Sequence, residues 1–68
     1  MKIRYDSEID AMYITLAKGK YKSTRKITDA ILVDEDKKGK VLGIEILDAT
    51  QNINAFDPSK TKFPVQAF

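Results

Sequence analysis

The stretch DEDKKGKVLGIE, from Asp34 to Glu45, has the spacing of a calcium-binding loop. Its two end residues and Asp36 occupy positions 1, 12 and 3 of the EF-hand pattern, in which carboxylates bind the ion. Gly39 occupies position 6, where a sharp turn is needed, but Lys38 stands at position 5, where an oxygen ligand belongs. The stretch is therefore either a weak metal site or a turn with acidic flanks.

The alternation of residues on the two sides of this stretch favours a β-hairpin. The register that places apolar residues together on one face pairs Val33 with Leu42, Ile31 with Ile44, and Asp34 with Val41. Glu45 then lies opposite Ala30, roughly 13 Å along the strand from the level of Asp34 at ~3.3 Å per residue. Ligands lie about 2.3–2.6 Å from a Ca²⁺ ion, so one ion cannot bind both carboxylates. We predict a structural turn in which Gly39 supplies a positive φ, and neither a metal nor another cofactor.

Three further carboxylates, Asp6, Glu8 and Asp10, lie between the first two apolar runs. Grouped carboxylates can hold a metal or act as acid and base, but Asp6 is also a natural turn opener and Asp10 could close the same turn. The chain has no His and no Cys, which removes the commonest general base and the thiolate metal ligand. It has no glycine-rich phosphate loop, and no Ser or Thr has a His to activate it. We expect a protein that is not an enzyme.

A basic run occupies residues 18–28, which hold five Lys or Arg and no acid. Its cations surround Tyr21 and are Lys18, Lys20, Lys22, Arg25 and Lys26. Cations beside an aromatic ring can hold a nucleic-acid backbone and stack a base. A solvated hairpin rim, or contact with an acidic protein or a second copy, explains the same run. Alternation on a continuous strand would divide the run into two sides, Lys20, Lys22 and Lys26 against Tyr21 and Arg25.

Five runs of alternating residues must position these groups. They span residues 1–5, 11–17, 21–27, 30–34 and 40–47. Period-2 alternation is typical of half-buried strands, and the connections are short enough for antiparallel hairpins but not for parallel crossovers. We predict a mainly β fold, a single antiparallel β-meander of four to five strands, in which the polar run 21–27 is the weaker or edge strand.

The alternation ends after Leu47. Asp48, with Gln51 three residues later, favours a helix start of the capping-box kind. An apolar stripe at helical spacing would consist of Ala49, Ile53 and Phe56. We therefore divide the chain into an antiparallel β-sheet domain, residues 1–50, and a C-terminal helix or extended tail, residues 51–68. The aromatic side chains of that tail would either cover the sheet or reach a partner.

Apolar side chains occur on both faces of the predicted strands, since Ala11 and Tyr13 alternate with Met12 and Ile14. A single sheet cannot bury both faces, so the C-terminal segment, a second copy or another protein must cover the second one. Glu45 points to that second face and is a candidate contact. Because small domains without staples often gain stability by oligomerising, we expect a homodimer that buries this second face.

The 68 residues form one small domain with a formal net charge of +2, far from the extreme of a histone-like binder. The N-terminus, MKIRYDSEID, is charged and mixed, unlike a signal peptide. Uncharged runs such as AMYITLA are far too short to cross a bilayer. We expect a soluble, cytoplasmic protein without a membrane partner.

Two stretches, MKIRYDSEIDAMYITL and ILVDEDKKGKVLGIEILDAT, resemble the small prokaryotic family known as domain of unknown function 2283. Its members open with an Ile-x-Tyr-Asp strand and an Asp-Ala-(Leu/Met)-Tyr-Ile strand, and close with an acidic hairpin that leads into Gly-Ile-Glu-Ile-Leu-Asp-Ala. The matching positions here are Ile3, Tyr5, Asp6, residues 10–14 and residues 43–49. The resemblance covers residues 1–50, except for the poorly matched segment 18–26, and it implies the fold but no established activity.

Members of that family are often encoded beside a small protein that looks like a toxin of the ribonuclease class. The resemblance therefore implies an antitoxin-like or accessory partner of a co-encoded protein. We predict a small protein–protein interaction module, with nucleic-acid binding through residues 18–26 as the alternative function. The predicted partner-binding residues are Tyr13, Lys20, Tyr21, Lys22, Arg25, Lys26, Glu45, Phe56, Phe63 and Phe68.

Overall fold

The structure, a computed structural model, describes residues 1–60 and 65–66. Its elements in chain order are β1 (Lys2–Asp6), β2 (Ala11–Thr15), β3 (Ser23–Lys26), β4 (Ile31–Glu35), β5 (Val41–Ile46), a single helical turn α1 (Ala49–Asn52) and the two-residue strand β6 (Val65–Gln66). The predicted mainly β fold, an antiparallel sheet with a short helix, is confirmed. No helix in the described residues is long and apolar enough to cross a membrane.

The strands form one sheet in the order β3-β4-β5-β2-β1-β6, with β6 parallel to β1 and every other pair antiparallel. The order departs from a simple meander because β2 pairs with β5 and not with β3. This pairing places Met12 opposite Ile46, and it continues beyond β2, where the N–H groups of Leu16 and Ala17 both donate to the carbonyl of Leu42. All residues of β3 are exposed, so this polar strand takes the outer edge, as predicted.

The β4–β5 hairpin differs from the predicted register by two residues. The predicted pairing of Val33 with Leu42 is wrong, since Val33 lies opposite Ile44. Ile31 lies opposite Ile46 instead of Ile44. Because a shift of two residues preserves the alternation, the apolar side chains of β4 still share one face with Ile44 and Ile46.

Two local features each add one residue to that register. The turn is a three-residue loop, closed by a hydrogen bond of 3.0 Å from Asp36 N–H to the carbonyl of Lys40. It ends in Gly39 at φ 78°, the left-handed conformation that such loops assign to glycine, and the predicted role of Gly39 is confirmed. A β-bulge adds the second residue, because Leu42 is skipped in the pairing of β5 with β4.

One face of the sheet, called here the helix face, carries Tyr5, Met12, Ile44 and Ile46. At β1 and β2 it is covered by α1, where Tyr5, Met12 and Ala49 form a buried cluster. The partly buried side chains packed around this cluster are Ile3, Ile14, Ile46, Ile53 and Phe56. The rings of Tyr5 and Phe56 meet edge to face with centroids 5.3 Å apart, a favourable aromatic geometry.

The predicted apolar stripe reaches the cluster, but the helix that presents it is only one turn long. Ile53 is already extended, at φ −113° and ψ 117°, so Phe56 reaches Tyr5 from a turn. The predicted capping box does not form, because Asp48 is left-handed at φ 48° and makes no side-chain cap bond. The side-chain amide of Asn52 instead donates to the backbone carbonyls of Leu47 and Asp48.

Asp10 ties the β1–β2 turn to α1. Its carboxylate accepts hydrogen bonds from the Tyr5 hydroxyl at 2.7 Å and from the Thr50 hydroxyl at 2.7 Å, and its carbonyl accepts the N–H of Ala49 at 2.8 Å. The bonds from Thr50, followed by the one from Tyr5, hold the pKa of the Asp10 carboxyl below its ordinary value. The same bond, with a smaller contribution from burial, raises the pKa of Tyr5 to about 12.

Candidate binding surface

The other face of the sheet, called here the cleft face, carries Arg4, Tyr13, Asp34 and Glu45. Tyr13 lies at its centre and donates its hydroxyl proton to Asp34 Oδ2 at 2.6 Å. The guanidinium carbon of Arg4 lies 5.5 Å from the centroid of the Tyr13 ring, within cation–π range. Asp34 Oδ1 accepts the hydroxyl of Thr24 at 2.6 Å. Four strands, β1 to β4, thus contribute one polar side chain each to a connected group.

Gly43 provides the space that Tyr13 occupies. A Cβ atom at Gly43 would overlap the hydroxyl and ring of Tyr13, and it would lie 3.0 Å from the carbonyl oxygen of Ile14. Gly43 is the β5 residue that lies opposite Asp34. The absence of a side chain there allows the Tyr13 hydroxyl to reach across β5 to the carboxylate on β4.

The surroundings of Tyr13 favour the protonated form of its hydroxyl. Burial, followed by the hydrogen bond to Asp34, raises the pKa of Tyr13 to about 12. The charge of Glu45, which lies opposite Tyr13, acts in the same direction, and the charge of Arg4 acts against it. At neutral pH the phenol therefore keeps its proton and serves as the hydrogen-bond donor to Asp34.

Three adjoining concavities run along the cleft face and its neighbouring loops, and together they are called here the cationic groove. The central one, of about 360 Å³, is lined by Arg4, Tyr13, Tyr21 and Asp34, among others. A second, of about 500 Å³, lies beside the start of β1 and shares Arg4 and Lys18 with the centre. The third, of about 420 Å³, lies between the loop 16–22 and the β4–β5 turn and shares Tyr21 with the centre.

Leu42 belongs to this groove and not to the core around Met12. The sequence placed it on one face with Ile44 and Ile46, but the bulge interrupts the alternation at this residue. Leu42 lines the central concavity, and its side chain lies against Gly19, where an added Cβ would be 2.7 Å from Leu42 Cδ2. The groove therefore has an apolar wall as well as polar ones.

The basic run divides differently from its predicted two sides. The strand begins only at Ser23, so Lys20, Tyr21 and Lys22 lie in a loop and line one concavity together. Arg25 lies on the helix face, where it forms two hydrogen bonds to Glu35 at 3.2 and 3.1 Å. Lys26 forms an exposed ion pair of 3.0 Å with Asp29. The structure brings together three of the predicted residues and separates Arg25 from them.

The calcium-like pattern is explained by hydrogen bonds. The predicted separation of Asp34 and Glu45 along the hairpin is wrong. Asp34 pairs with Gly43, so Glu45, which lies opposite Leu32, is two residues and not four along β5 from the partner of Asp34. Asp34 accepts the hydroxyls of Tyr13 and Thr24 instead of serving as a loop ligand. Asp36 Oδ1 accepts the N–H groups of Lys38 and Lys40 at 2.9 and 3.0 Å, which fixes the turn.

The N-terminal carboxylates do not converge on one point. Asp6 Oδ1 accepts the N–H of Glu8 at 3.0 Å, the turn-opening role that the sequence predicted. The carboxylate of Asp10 is directed to Tyr5 and Thr50. In residues 1–60 and 65–66, no three His, Cys, Asp or Glu side chains are grouped so that they could hold a metal ion.

The predicted aromatic contacts of the C-terminal segment have separate outcomes. Phe56 packs against Tyr5 within the same chain, and this contact uses its ring in the core. Phe63 and Phe68 lie outside the described residues. Tyr13 and Glu45, by contrast, both lie on the second face of the sheet, as predicted, opposite each other on neighbouring strands.

Sequence reasoning missed Arg4, Asp34, Lys37 and Lys38 as residues of this surface. Arg4 alternates with Ile3 and Tyr5, so its position on the second face was available from the period-2 pattern. Arg4 and Asp34 line the same concavity because β2 pairs with β5, and no local sequence pattern predicts that pairing.

Comparisons with known proteins give a family of unknown function and one curated relative. A family model described as a protein of unknown function, DUF2283, matches residues 2–49. An uncharacterized protein of Methanocaldococcus jannaschii, MJ0789, is 38% identical over 69 residues. That match covers 98% of this chain but 59% of the relative, so the chain spans about three fifths of the length of the protein it resembles. No solved structure matches the chain.

Proposed function

Since this chain belongs to the DUF2283 family of proteins of unknown function, its role must come from its own surfaces, and we propose that it is a small, non-enzymatic protein-interaction module of the cytoplasm. The chain pairs with a second copy of itself, and the pair binds a second small protein in an antitoxin-like or accessory role. The observation that supports the pairing is an apolar strip on the helix face, beyond the reach of α1. The proposed contact therefore lies on the face opposite to the one for which the sequence predicted a dimer.

The apolar strip lies on the part of the helix face that β3, β4 and β5 form, away from α1. It consists of Ile27, Ile31, Val41 and Ile44. Within the described residues, none of the four belongs to the cluster packed beneath α1 and Phe56. Ile27 and Val41 are 48% and 39% exposed. No large side chain in the described part of the chain is fully buried, so a domain of this size gains stability by covering the strip.

Charge complementarity makes a second copy the fitting occupant. Arg25 and Glu35 flank the strip, and the Arg25 side chain is 59% exposed while it pairs with Glu35. In a two-fold dimer the same patch faces itself, so Arg25 of one chain lies near Glu35 of the other. Such an arrangement covers apolar surface and leaves no charge unpaired at the interface.

Light scattering coupled to gel filtration tests the pairing. The wild-type chain should have twice the monomer mass of 7.7 kDa, and Val41→Lys should shift it toward the monomer because it places a cation in the strip. Ile9→Lys, the same kind of change at a residue 61% exposed in the β1–β2 turn, is the matched control and should stay dimeric. A wild-type chain that stays monomeric at high concentration contradicts the proposal, as does a control that dissociates equally.

The antitoxin-like part is supported by the gene neighbourhood that the family resemblance implies. Its test is co-expression with the product of the adjoining reading frame, with the affinity tag on the neighbour. We expect the two chains to co-purify in a fixed ratio and this chain to relieve any growth inhibition by its neighbour. Inhibition that is unchanged in the presence of this chain would reject an antitoxin-like role.

A further inference from the structure

The cationic groove is more strongly positive than the formal net charge of +2 would suggest. Four lysines, Lys20, Lys22, Lys37 and Lys38, line the concavity beside the β4–β5 turn. Three more cations, Lys2, Arg4 and Lys18, line the concavity beside the start of β1. These seven are more than half of the 12 Lys and Arg of the chain, whereas two of its 10 Asp and Glu line the groove. A ligand that fits along it should therefore be a polyanion.

The two acids of the groove offset only part of this excess, and both are held by hydrogen bonds within the chain. Asp34 accepts hydroxyl protons from Tyr13 and Thr24, each at 2.6 Å. Asp36 accepts two backbone N–H groups within the turn. These donors hold both carboxylates in place but leave their charge, so seven positive groups and two negative groups give the groove a clear excess of positive charge.

An aromatic residue stands where two of the three concavities meet. Tyr21 lines both the central concavity and the one beside the β4–β5 turn, and it is 57% exposed. Its hydroxyl lies 2.8 Å from that of Thr24, which tethers the side chain to the sheet. A tethered, exposed aromatic ring between lysines is the arrangement on which nucleic-acid bases stack. An acidic peptide would use the lysines but would have no base to place on the ring.

We propose that the cationic groove binds single-stranded nucleic acid, with phosphates along the lysines and a base against Tyr21. In a duplex the bases are already stacked on one another, so the ring would contribute little. A duplex is commonly read by a helix in the major groove, and the only helix in the described residues is one turn long and lies on the helix face. The inference is independent of the pairing proposed above, because the apolar strip lies on the opposite face.

Fluorescence anisotropy tests the inference, with labelled oligothymidylate and oligouridylate of about 10 nucleotides as probes, within the site range of about 4–16 known for small β domains. Both should bind at low salt. The logarithm of the affinity should fall with the logarithm of salt concentration with a slope of about −2 to −5, since each phosphate contact contributes about −0.7. Lys22→Glu with Lys38→Glu should weaken binding at least about tenfold, and Tyr21→Ala should weaken it about 5- to 100-fold.

The matched control is Lys26→Glu with Lys60→Glu, which changes the net charge equally at two exposed lysines outside the groove. It should lose much less affinity, and every variant should keep the wild-type melting temperature and mass. The inference is overturned if neither probe binds at low salt, if duplex binds as tightly, or if the control loses as much affinity. Competition by polyglutamate, combined with no effect of Tyr21→Ala, would assign the groove to an acidic protein instead.

Discussion

At the centre of the cleft face, the position of Tyr13 depends on the absence of a side chain at Gly43. Gly43 lies where any Cβ would overlap the Tyr13 ring, and Tyr13 reaches Asp34 only by crossing β5 at this point. The hydrogen bond to Asp34 is short, and it involves an ionised acceptor, the class of hydrogen bond that contributes about 1.5–3 kcal/mol. One glycine therefore determines whether β2 and β4 are joined by their side chains.

Gly43→Ala should destabilise the fold by about 1–3 kcal/mol, the usual cost of overpacking, because Tyr13 must move and lose its bond to Asp34. In a Tyr13→Ala background the same change should cost much less, since the remaining close atom is the Ile14 carbonyl oxygen at 3.0 Å. Urea denaturation of the four chains of this double-mutant cycle measures both costs. Equal costs in the two backgrounds would show that the Tyr13 ring does not require the glycine.

At the scale of elements, Asp10 connects the β1–β2 hairpin to α1, which lies outside the sheet. Its carboxylate joins Tyr5 on β1 to Thr50 on α1, and the residue itself forms the β1–β2 turn at φ 52°. The lowered pKa of Asp10 means that the folded state favours the ionised carboxylate. The contribution to stability is present above the unfolded pKa, close to 3.8, and is lost as the pH falls toward the folded pKa.

Asp10→Asn should therefore lower the melting temperature at pH 7, and the gap to the wild type should narrow as the pH falls below about 4. Asparagine tolerates the left-handed conformation of this residue, so the change tests the charge and not the backbone. Asp48→Asn is the matched control, because Asp48 is also left-handed and makes no cap bond with its side chain. Thermal melts across pH that show equal losses for the two variants would contradict the role of Asp10.

The five main strands and the pairings of β1 with β2, β3 with β4 and β4 with β5 could be predicted from the sequence, but the pairing of β2 with β5 could not. Alternation identified all five main strands and placed Glu45 on the face opposite Ile44. Period-2 patterns carry no information about which strand lies beside which, so the pairing of β2 with β5 was missed. The register failed by two residues because the three-residue loop and the bulge at Leu42 are each a single-residue insertion without a signal in the apolar pattern.

The candidate surface was only partly visible for the same physical reason. Lys20, Tyr21 and Lys22 are neighbours in sequence and were found as a group, although the loop that holds them was interpreted as a strand. Arg4 and Asp34 line the same concavity through two hairpins and one long-range pairing, that of β2 with β5, which no local pattern predicts. Local patterns therefore identified the basic loop of the groove but not Arg4 and Asp34, which line its central concavity.

At the scale of the whole molecule, the five main strands of the sheet form two antiparallel units, and β6 adds to the edge of the first. The β1–β2 hairpin and the β3–β4–β5 meander are joined by one pairing, β2 with β5, which connects residues about 30 positions apart. Such a long-range pairing closes late and must be broken for the units to separate. The central strands should therefore report global stability, while the outer strand β3, which is exposed throughout, should open locally.

Native-state hydrogen exchange should show this difference. Amides of β2 and β5 that are bonded within the sheet should exchange only by global unfolding, and those of β3 bonded to β4 should be protected at least about tenfold less, which corresponds to about 1.4 kcal/mol. Both sets are backbone amides in antiparallel ladders, so β5 serves as the internal control for β3. Uniform protection across all strands would show that the sheet opens as one unit, without a weak edge.

The bulge at Leu42 changes which residues of β5 share a face of the sheet. Side chains along a strand obey an odd–even rule, and a single inserted residue reverses that rule for everything on one side of it. Deleting Leu42 would keep the tip of the hairpin in place, because Val41 and Gly43 already have regular partners on β4, Glu35 and Asp34. It would remove the carbonyl that accepts the N–H groups of Leu16 and Ala17 and the side chain that lies against Gly19, so the loop 16–22 would lose its attachment to β5. A one-codon deletion is thus the smallest genetic event that would dismantle the groove and spare the core beneath α1.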